Sequence, residues 1–186
     1  MKNKDFKTFF GAALAAVLVL VAVKSIGGDP GSARSAVAAG QKAPAFHATD
    51  IDGKTINFPG DYKGKVVLLD FWATWCPPCR AALPGVVATY RQYHDKGFDV
   101  VGVSLDQPDS EPALRQFLKD HNMAWPQIYD GKYWQAAIAA QYGVHAIPCP
   151  LLVDGDTGKI IATEDSLLGE NLPKTVAAAL AANVKK

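Results

Sequence analysis

Cysteine is scarce in this chain of 186 residues: there are three, Cys76 and Cys79 close together and Cys149 far away. That is too few, and the wrong parity, for a small secreted domain stapled by disulfides. With 49% hydrophobic and 20% charged residues the chain can bury one core without staples, but hardly two. An excess of one charge is missing as well. The formal net charge is +1, and the first 24 residues take four of the 19 basic side chains against one acid, leaving 15 basic and 17 acidic residues for the rest. No basic face for nucleic acid is expected from that balance. A Gly-rich phosphate loop, a paired-carboxylate site, a Ser/His/Asp arrangement and an internal repeat are also lacking. His47, His94 and His121 have no metal-ligand spacing and read as surface or partly buried residues.

What is present begins at the N-terminus. Lys2, Lys4 and Lys7 precede an unbroken run of apolar or small residues from Phe9 to Val23. This reads as an export signal, with the positive flank held in the cytoplasm and the following domain carried across the membrane, and not as a buried core helix. The run is shorter than the roughly 20 residues that span a bilayer without strain. Lys24 can snorkel and Ser25-Ile26 can extend the segment, which favours an anchor. Ser25 also stands three back from a possible cleavage point after Gly27, and Ala36-Val37-Ala38 is a better-formed site that lies far downstream. Residues 1–26 are therefore expected to be a signal-anchor or transmembrane segment, or a signal peptide. Residues 27–43, small, polar and irregular, read as a flexible linker, and 44–186 as the folded domain.

In that domain, Asp52-Gly53 between Phe46–Asp50 and Thr55–Phe58 predicts a short hairpin. Lys65–Trp72, with Val66-Val67-Leu68-Leu69 at its centre, has the continuous apolar character of a strand buried on both faces. A helix is expected from about Pro77 to His94, a second buried strand over Phe98–Ser104, and a helix over Ser110–His121 capped by Ser110 or Asp109, with Leu114, Phe117 and Leu118 as its apolar stripe. Trp134, Ile138 and Tyr142, four apart, predict a helix over Lys132–Tyr142 with a core-facing stripe. Leu151–Asp154 and Lys159–Thr163 predict an antiparallel pair, and Leu172–Ala182 a final helix. The alternation predicts an α/β fold: a mixed, mostly parallel central sheet flanked by helices, with the hairpin as an N-terminal extension.

Cys76-Pro77-Pro78-Cys79 places a C-x-x-C at the junction of the buried strand and a helix. Free backbone N–H groups and the positive end of the helix dipole would there stabilise a Cys76 thiolate. Two intervening residues bring both sulfurs within bonding reach, so the pair could close a disulfide after attacking one in a partner. Pro77 suits the first helical turn, where its missing N–H is harmless. A structural disulfide or half of a zinc site are the plainer alternatives, but a zinc ribbon would need a second pair and only Cys149 remains.

Asp70-Phe71-Trp72-Ala73 leading into Trp75-Cys76-Pro77-Pro78-Cys79, with Pro84 and Tyr142-Gly143-Val144-His145-Ala146-Ile147-Pro148, resembles the thioredoxin superfamily and, within it, the membrane-anchored TlpA/ResA-type oxidoreductases. The likeness covers about residues 44–182 and implies a thioredoxin-like fold. It implies further that Cys76 is the exposed nucleophile, Cys79 the buried resolving thiol, and Asp70 a buried carboxylate, raised in pKa, that exchanges a proton with Cys79. Pro148 would be cis against the disulfide and Ile147 would pair its backbone with the substrate; Trp75 reads as a rim residue that contacts substrate.

The chain departs from the family after the cis-proline, where Pro148-Cys149-Pro150 puts a third thiol in place of the common Thr and no acidic residue beside the proline, which weakens a cytochrome c maturation role. Cys149 reads as a small buried strand residue, a ligand for a soft ion such as Cu(I) with His145, or an exchanging thiol. Ala43-Pro44-Ala45-Phe46 also resembles the start of peroxiredoxins. Their peroxidatic site has Thr three residues before its Cys, whereas Thr74 is two before Cys76, so peroxidase chemistry is not expected.

The expected function is thus extracytoplasmic thiol-disulfide exchange by an enzyme that reduces disulfides of exported proteins and needs no cofactor. Its partners would be those proteins and a membrane electron donor, and its place the cell membrane with the domain in the periplasm, or the periplasm itself after cleavage. The alternative is a Cu(I)-binding metallochaperone using Cys76, Cys79 and Cys149.

Overall fold

Strand β3 (Val66–Trp72) lies at the middle of a five-stranded sheet, with every residue except Asp70 fully buried. The computed structural model describes residues 34–183, so the apolar run and the first part of the linker lie outside the described residues. Among the described residues no helix is long and apolar enough to cross a membrane.

The sheet order is β5-β4-β3-β6-β7, built from β4 (Phe98–Ser104), β5 (Gln127–Tyr129), β6 (Cys149–Asp154) and β7 (Ile160–Thr163). β3 runs parallel to β4, and β4 to β5, whereas β6 is antiparallel to both β3 and β7. Such a central strand must be apolar on both faces, as Val66-Val67-Leu68-Leu69 already implied. β1 (Phe46–Thr49) and β2 (Thr55–Phe58) form the expected hairpin. Asp50 closes its turn, Oδ1 accepting from the backbone N–H groups of Asp52 and Lys54 at 3.0 and 2.8 Å, and Gly53 supplies a φ of 84°.

α1 (Pro77–Tyr93) crosses from β3 to β4, and α2 (Glu111–Asp120) from β4 to β5. Both crossovers step along the sheet in the same direction, so a shared right hand lays both helices on one face. Trp72 on that face meets the Phe117 ring of α2 at 5.6 Å. Phe71, one residue earlier, points the other way and meets Tyr142 at 5.4 Å, beyond α3 (Ala137–Gln141). Tyr142 also packs on Phe46 of the hairpin, and its hydroxyl donates to the Pro44 carbonyl at 2.7 Å. α4 (Asn171–Asn183) packs beside α1.

Four details differ from the sequence reading. The helix expected over Lys132–Tyr142 breaks into a 3-10 turn at Tyr133–Gln135 and α3, because Ala136 is extended (φ −52°, ψ 127°). Asp130 imposes the break: its carboxylate accepts from the N–H of Lys132 at 3.0 Å and of Ala137 at 2.9 Å, offering the backbone an alternative to helical bonding. Ile138 and Tyr142 are still core, and Trp134 packs partly against it. Ser110 precedes α2 without a side-chain capping bond, its N–H donating instead to the Tyr129 hydroxyl at 3.1 Å. β5 has only three residues and was not anticipated.

The fourth is the linker, whose part from residue 34 to residue 43 lies on the domain and is not a free tether. The N–H groups of Gly40 and Ala43 donate to the carbonyls of Ile160 and Gly158 at 2.8 Å, and Ile160 N–H donates to Gln41 at 2.8 Å, extending the sheet past β7. Ala36 N–H reaches Tyr142 O at 3.1 Å, and His145 N–H reaches Arg34 O at 3.1 Å. These are backbone bonds, for which small and polar residues serve as well as apolar ones, so no periodicity announced them. The Ala36, Gly40 and Ala43 amides are expected to be protected in hydrogen exchange. Gly143→Ala, whose Cβ would approach that of Ala36 to 2.5 Å at a φ of 61°, should abolish the protection at Ala36. Exchange at free-peptide rates in the unaltered protein would restore the tether.

Candidate active site

Cys76 caps α1 from an extended conformation (φ −90°, ψ 105°), and Pro77 and Pro78 fill the first two helical positions. Neither proline has an N–H, so the first free donor of the helix is Cys79, and its N–H points at Cys76 Sγ at 3.2 Å. Arg80 N–H goes to the Cys76 carbonyl at 3.1 Å. The one helical N–H aimed at the sulfur and the dipole of a 17-residue helix are thus what this loop offers a Cys76 thiolate. The two cysteines are joined in a disulfide with S–S 2.06 Å and Cα–Cα 5.3 Å.

Cys76 was expected to be exposed, but in the disulfide form it is 2% exposed against 5% for Cys79. Its neighbours stand outward instead: Pro77 and Pro78 are exposed, and Trp75 is 39% exposed. Trp75 Nε1–H donates to the Leu105 carbonyl at 3.1 Å, and its ring meets those of Tyr133 and Trp134 at 5.2 and 5.9 Å. A three-ring aromatic rim therefore borders the disulfide. Tyr133 and Trp134 were not foreseen as part of it, since the helical stripe assigned Trp134 to the core.

Asp70 faces the α1 side of the sheet, level with Gly102 of β4 and Pro150 of β6. Burial pushes its carboxyl up to about 7, although the residue keeps partial contact with solvent. The Ile147–Pro148 peptide is cis, Pro148 is buried, and Ile147 packs partly against the core. Since Cys149 pairs with Phe71, this turn enters β6 at the end of β3 from which Cys76 follows.

The same register separates Cys149 from the other two thiols. It stands on the Phe71 face, fully buried, with the sheet between it and α1. Burial, with smaller contributions from Glu164 and Asp70 against a Ser35 hydrogen bond and Arg34, pushes its thiol up to about 12. His145 is exposed, and no group of three His, Cys, Asp or Glu side chains among the described residues could hold a metal ion. A Cu(I) cage of Cys76, Cys79 and Cys149 is thereby not favoured: soft-ion binding needs convergent thiolates.

Asp106 was missed. It is 1% exposed and accepts from the Thr74 hydroxyl at 2.5 Å, from Thr74 N–H at 3.2 Å and from the Ser104 hydroxyl at 2.7 Å. It ties the loop before Cys76 to the end of β4. Its only trace in the sequence was an acid just past an apolar strand, with no motif spacing to mark it.

A C-x-x-C disulfide at the start of the helix that leaves the central strand, opposite a cis-proline, defines a thioredoxin-like dithiol/disulfide protein. The chain belongs to the AhpC/TSA family, whose pattern matches residues 39–163. It is 37% identical over 122 residues to the thiol-disulfide oxidoreductase ResA of Bacillus thuringiensis subsp. konkukian, a match spanning 66% of either chain. Against ResA of Bacillus subtilis it is 27% identical over 172 residues, 92% of either chain. Among solved structures, the thioredoxin domain of a thiol-disulfide oxidoreductase from Bacteroides vulgatus superposes with a TM-score of 0.67 at 33% identity, covering 77% of this chain and 99% of that one. A thiol:disulfide interchange protein from Bacteroides sp. gives 0.66 at 32%, covering 78% and 91%. Fold, disulfide and relatives together place the chain among the thiol-disulfide oxidoreductases.

Two outcomes are expected from these contacts. Asp106→Ala strands the Thr74 and Ser104 donors and should lower stability by about 1–3 kcal/mol in urea unfolding, with altered Trp75 fluorescence; an unchanged midpoint would remove Asp106 from the framework. Asp70 has a folded pKa above its unfolded value, so its protonated form is the one folding favours. Its contribution is present below the ordinary carboxylate range and is lost as pH rises through about 7. Asp70→Asn should therefore gain stability relative to the unaltered protein between pH 4 and 8, by up to about 4 kcal/mol, in unfolding measured across that range; a constant difference would refute the shift.

Proposed function

We propose that this chain reduces disulfides of exported proteins, acting outside the cytoplasmic membrane and held to it by its N-terminal apolar segment. The observation that carries the reading is the Cys76–Cys79 disulfide at the N-terminus of α1, with the Cys79 N–H on the Cys76 sulfur. In the reduced enzyme the Cys76 thiolate attacks one sulfur of a substrate disulfide, forming a mixed disulfide and expelling the other substrate sulfur as a thiolate. Cys79 then attacks Cys76 Sγ, releasing the second substrate sulfur and closing the disulfide; two electrons have passed to the substrate. The proton that Cys79 must lose goes to Asp70, whose raised pKa suits it to accept near neutrality.

Trp75, with Tyr133 and Trp134 beside it, offers the substrate chain an apolar platform, and the backbone at Ile147, fixed by cis-Pro148, offers it a pairing edge. The disulfide form is returned to dithiol by a membrane electron donor. The ResA name of the relatives supports thiol-disulfide exchange as the reaction, and the Lys-flanked apolar run from Phe9 to Val23 in the sequence supports the compartment. Thr74 is engaged by Asp106, which fits poorly with a peroxidatic role for its hydroxyl.

The decisive experiment is trapping with the full chain. Cys79→Ser should accumulate mixed disulfides through Cys76, Cys76→Ser should form none, and Cys149→Ser should exchange at the unaltered rate. Titration of the Cys76–Cys79 couple should give a potential near thioredoxin's, about −270 mV. A value near −120 mV would make the protein an oxidant, and loss of exchange in Cys149→Ser would bring that thiol into the reaction.

A further inference from the structure

Three buried side-chain nitrogens among the described residues lack a hydrogen-bond partner, and one of them, Gln127 Nε2, is in the central sheet. Gln127 is 1% exposed, so a donor left without a partner there is costly. Its orientation is not arbitrary. Trp72 Nε1 can only donate, and it donates to Gln127 Oε1 at 3.0 Å, so the oxygen end of the amide faces Trp72 and the Nε2 end is free. The amide lies flat over Gly102, where a Cβ would collide with it.

Gly102 is level with Gln127 on one side and with Asp70 on the other. Three strands thus set a free donor and an acid on either side of a residue that has no side chain to separate them. Among the described residues no protein group hydrogen-bonds the Asp70 carboxyl, and the residue keeps some solvent contact. Gln127 also lines a cavity of about 610 Å³ that Tyr90 and Arg91 of α1 and Leu118 of α2 border, which gives water a way in.

We propose that Gln127 is a positioning residue for Asp70: its Nε2–H, fixed over Gly102 by Trp72, donates through one water molecule to the Asp70 carboxylate and favours its ionised, proton-accepting form. The inference rests on the reading of Asp70 as the proton acceptor for Cys79. Little else can set the charge of Asp70. Gly102 and Pro150 carry no titratable group, α1 turns Leu83, Val86 and the non-titrating disulfide inward, α4 turns Leu172, Val176 and Ala179, and α2 turns Leu114 and Leu118. Cys149 of β6 is a neutral thiol behind the sheet, and the charges at the cavity, Asp50, Asp52, Arg91, Arg115 and Lys119, are at its lining.

The test is a carbon NMR titration of the Asp70 side-chain carboxyl in the full chain in its disulfide form, which reads the acid without requiring turnover. Gln127→Met, close in size but without an N–H, should raise the midpoint by roughly half a pH unit or more, with Gln127→Leu as a second replacement should the first not fold. Gly102→Ala, which displaces the amide, should shift it in the same direction. An unmoved midpoint in a variant with a native melting transition overturns the proposal. If instead Asp70→Asn exchanges disulfides with an unchanged pH profile, the catalytic role of Asp70 fails while the titration still decides the link to Gln127.

Discussion

β3 is hydrogen-bonded along both edges, to β4 and β6, and is covered on both faces, by α1 and α2 on one and by α3 and the hairpin on the other. Its residues can neither slip in register nor turn over, because a one-residue shift would exchange Asp70 and Trp72 with Phe71 across the sheet. The reactive loop inherits that rigidity. Cys76 follows β3 by four residues, Asp106 holds Thr74 to the neighbouring strand, and the cis-proline turn arrives from the other neighbour. The geometry of the disulfide is therefore set by three strand ends and not by the C-x-x-C alone.

The two prolines sharpen the electrostatics. By removing the N–H groups of the first two helical positions they leave the Cys79 N–H as the backbone donor at Cys76 Sγ. Stabilisation of a thiolate then depends on one directed bond and on the helix dipole, and the loop is stiffened in return. Asp70 is placed on the same face, in a strand otherwise apolar, where desolvation holds it near neutrality in both senses: about 7 on the pH scale, and poised between charged and uncharged forms. Cys149 shows the opposite use of burial. One pleat away, a fully enclosed thiol is pushed toward 12 and kept out of the chemistry.

Much of the framework was legible in the residue pattern. A four-residue aliphatic run suited a strand covered twice, Asp-Gly between two short runs could close a hairpin, and C-x-x-C at a strand-to-helix junction pointed to redox chemistry. What escaped had no local signature. Asp130 broke a helix whose apolar spacing was correct, by capping both flanks from outside the segment. The stretch from residue 34 to residue 43 joined the sheet through main-chain bonds that any composition could make.

By itself the sequence determined the central strand and the C-x-x-C at its junction with a helix, since each rests on local hydrophobicity or on spacing along one chain. Only the tertiary structure decided that Cys76 is buried in the disulfide form, that Cys149 lies behind the sheet, and that Asp106, Gln127, Tyr133 and Trp134 belong to the site. Those placements depend on strand order and pleat. Residues as far apart in sequence as Thr74 and Asp106, Trp72 and Gln127, or Phe71 and Cys149 become neighbours only when β4, β5 and β6 are set beside β3, and the face each side chain takes follows from a register that no single segment encodes.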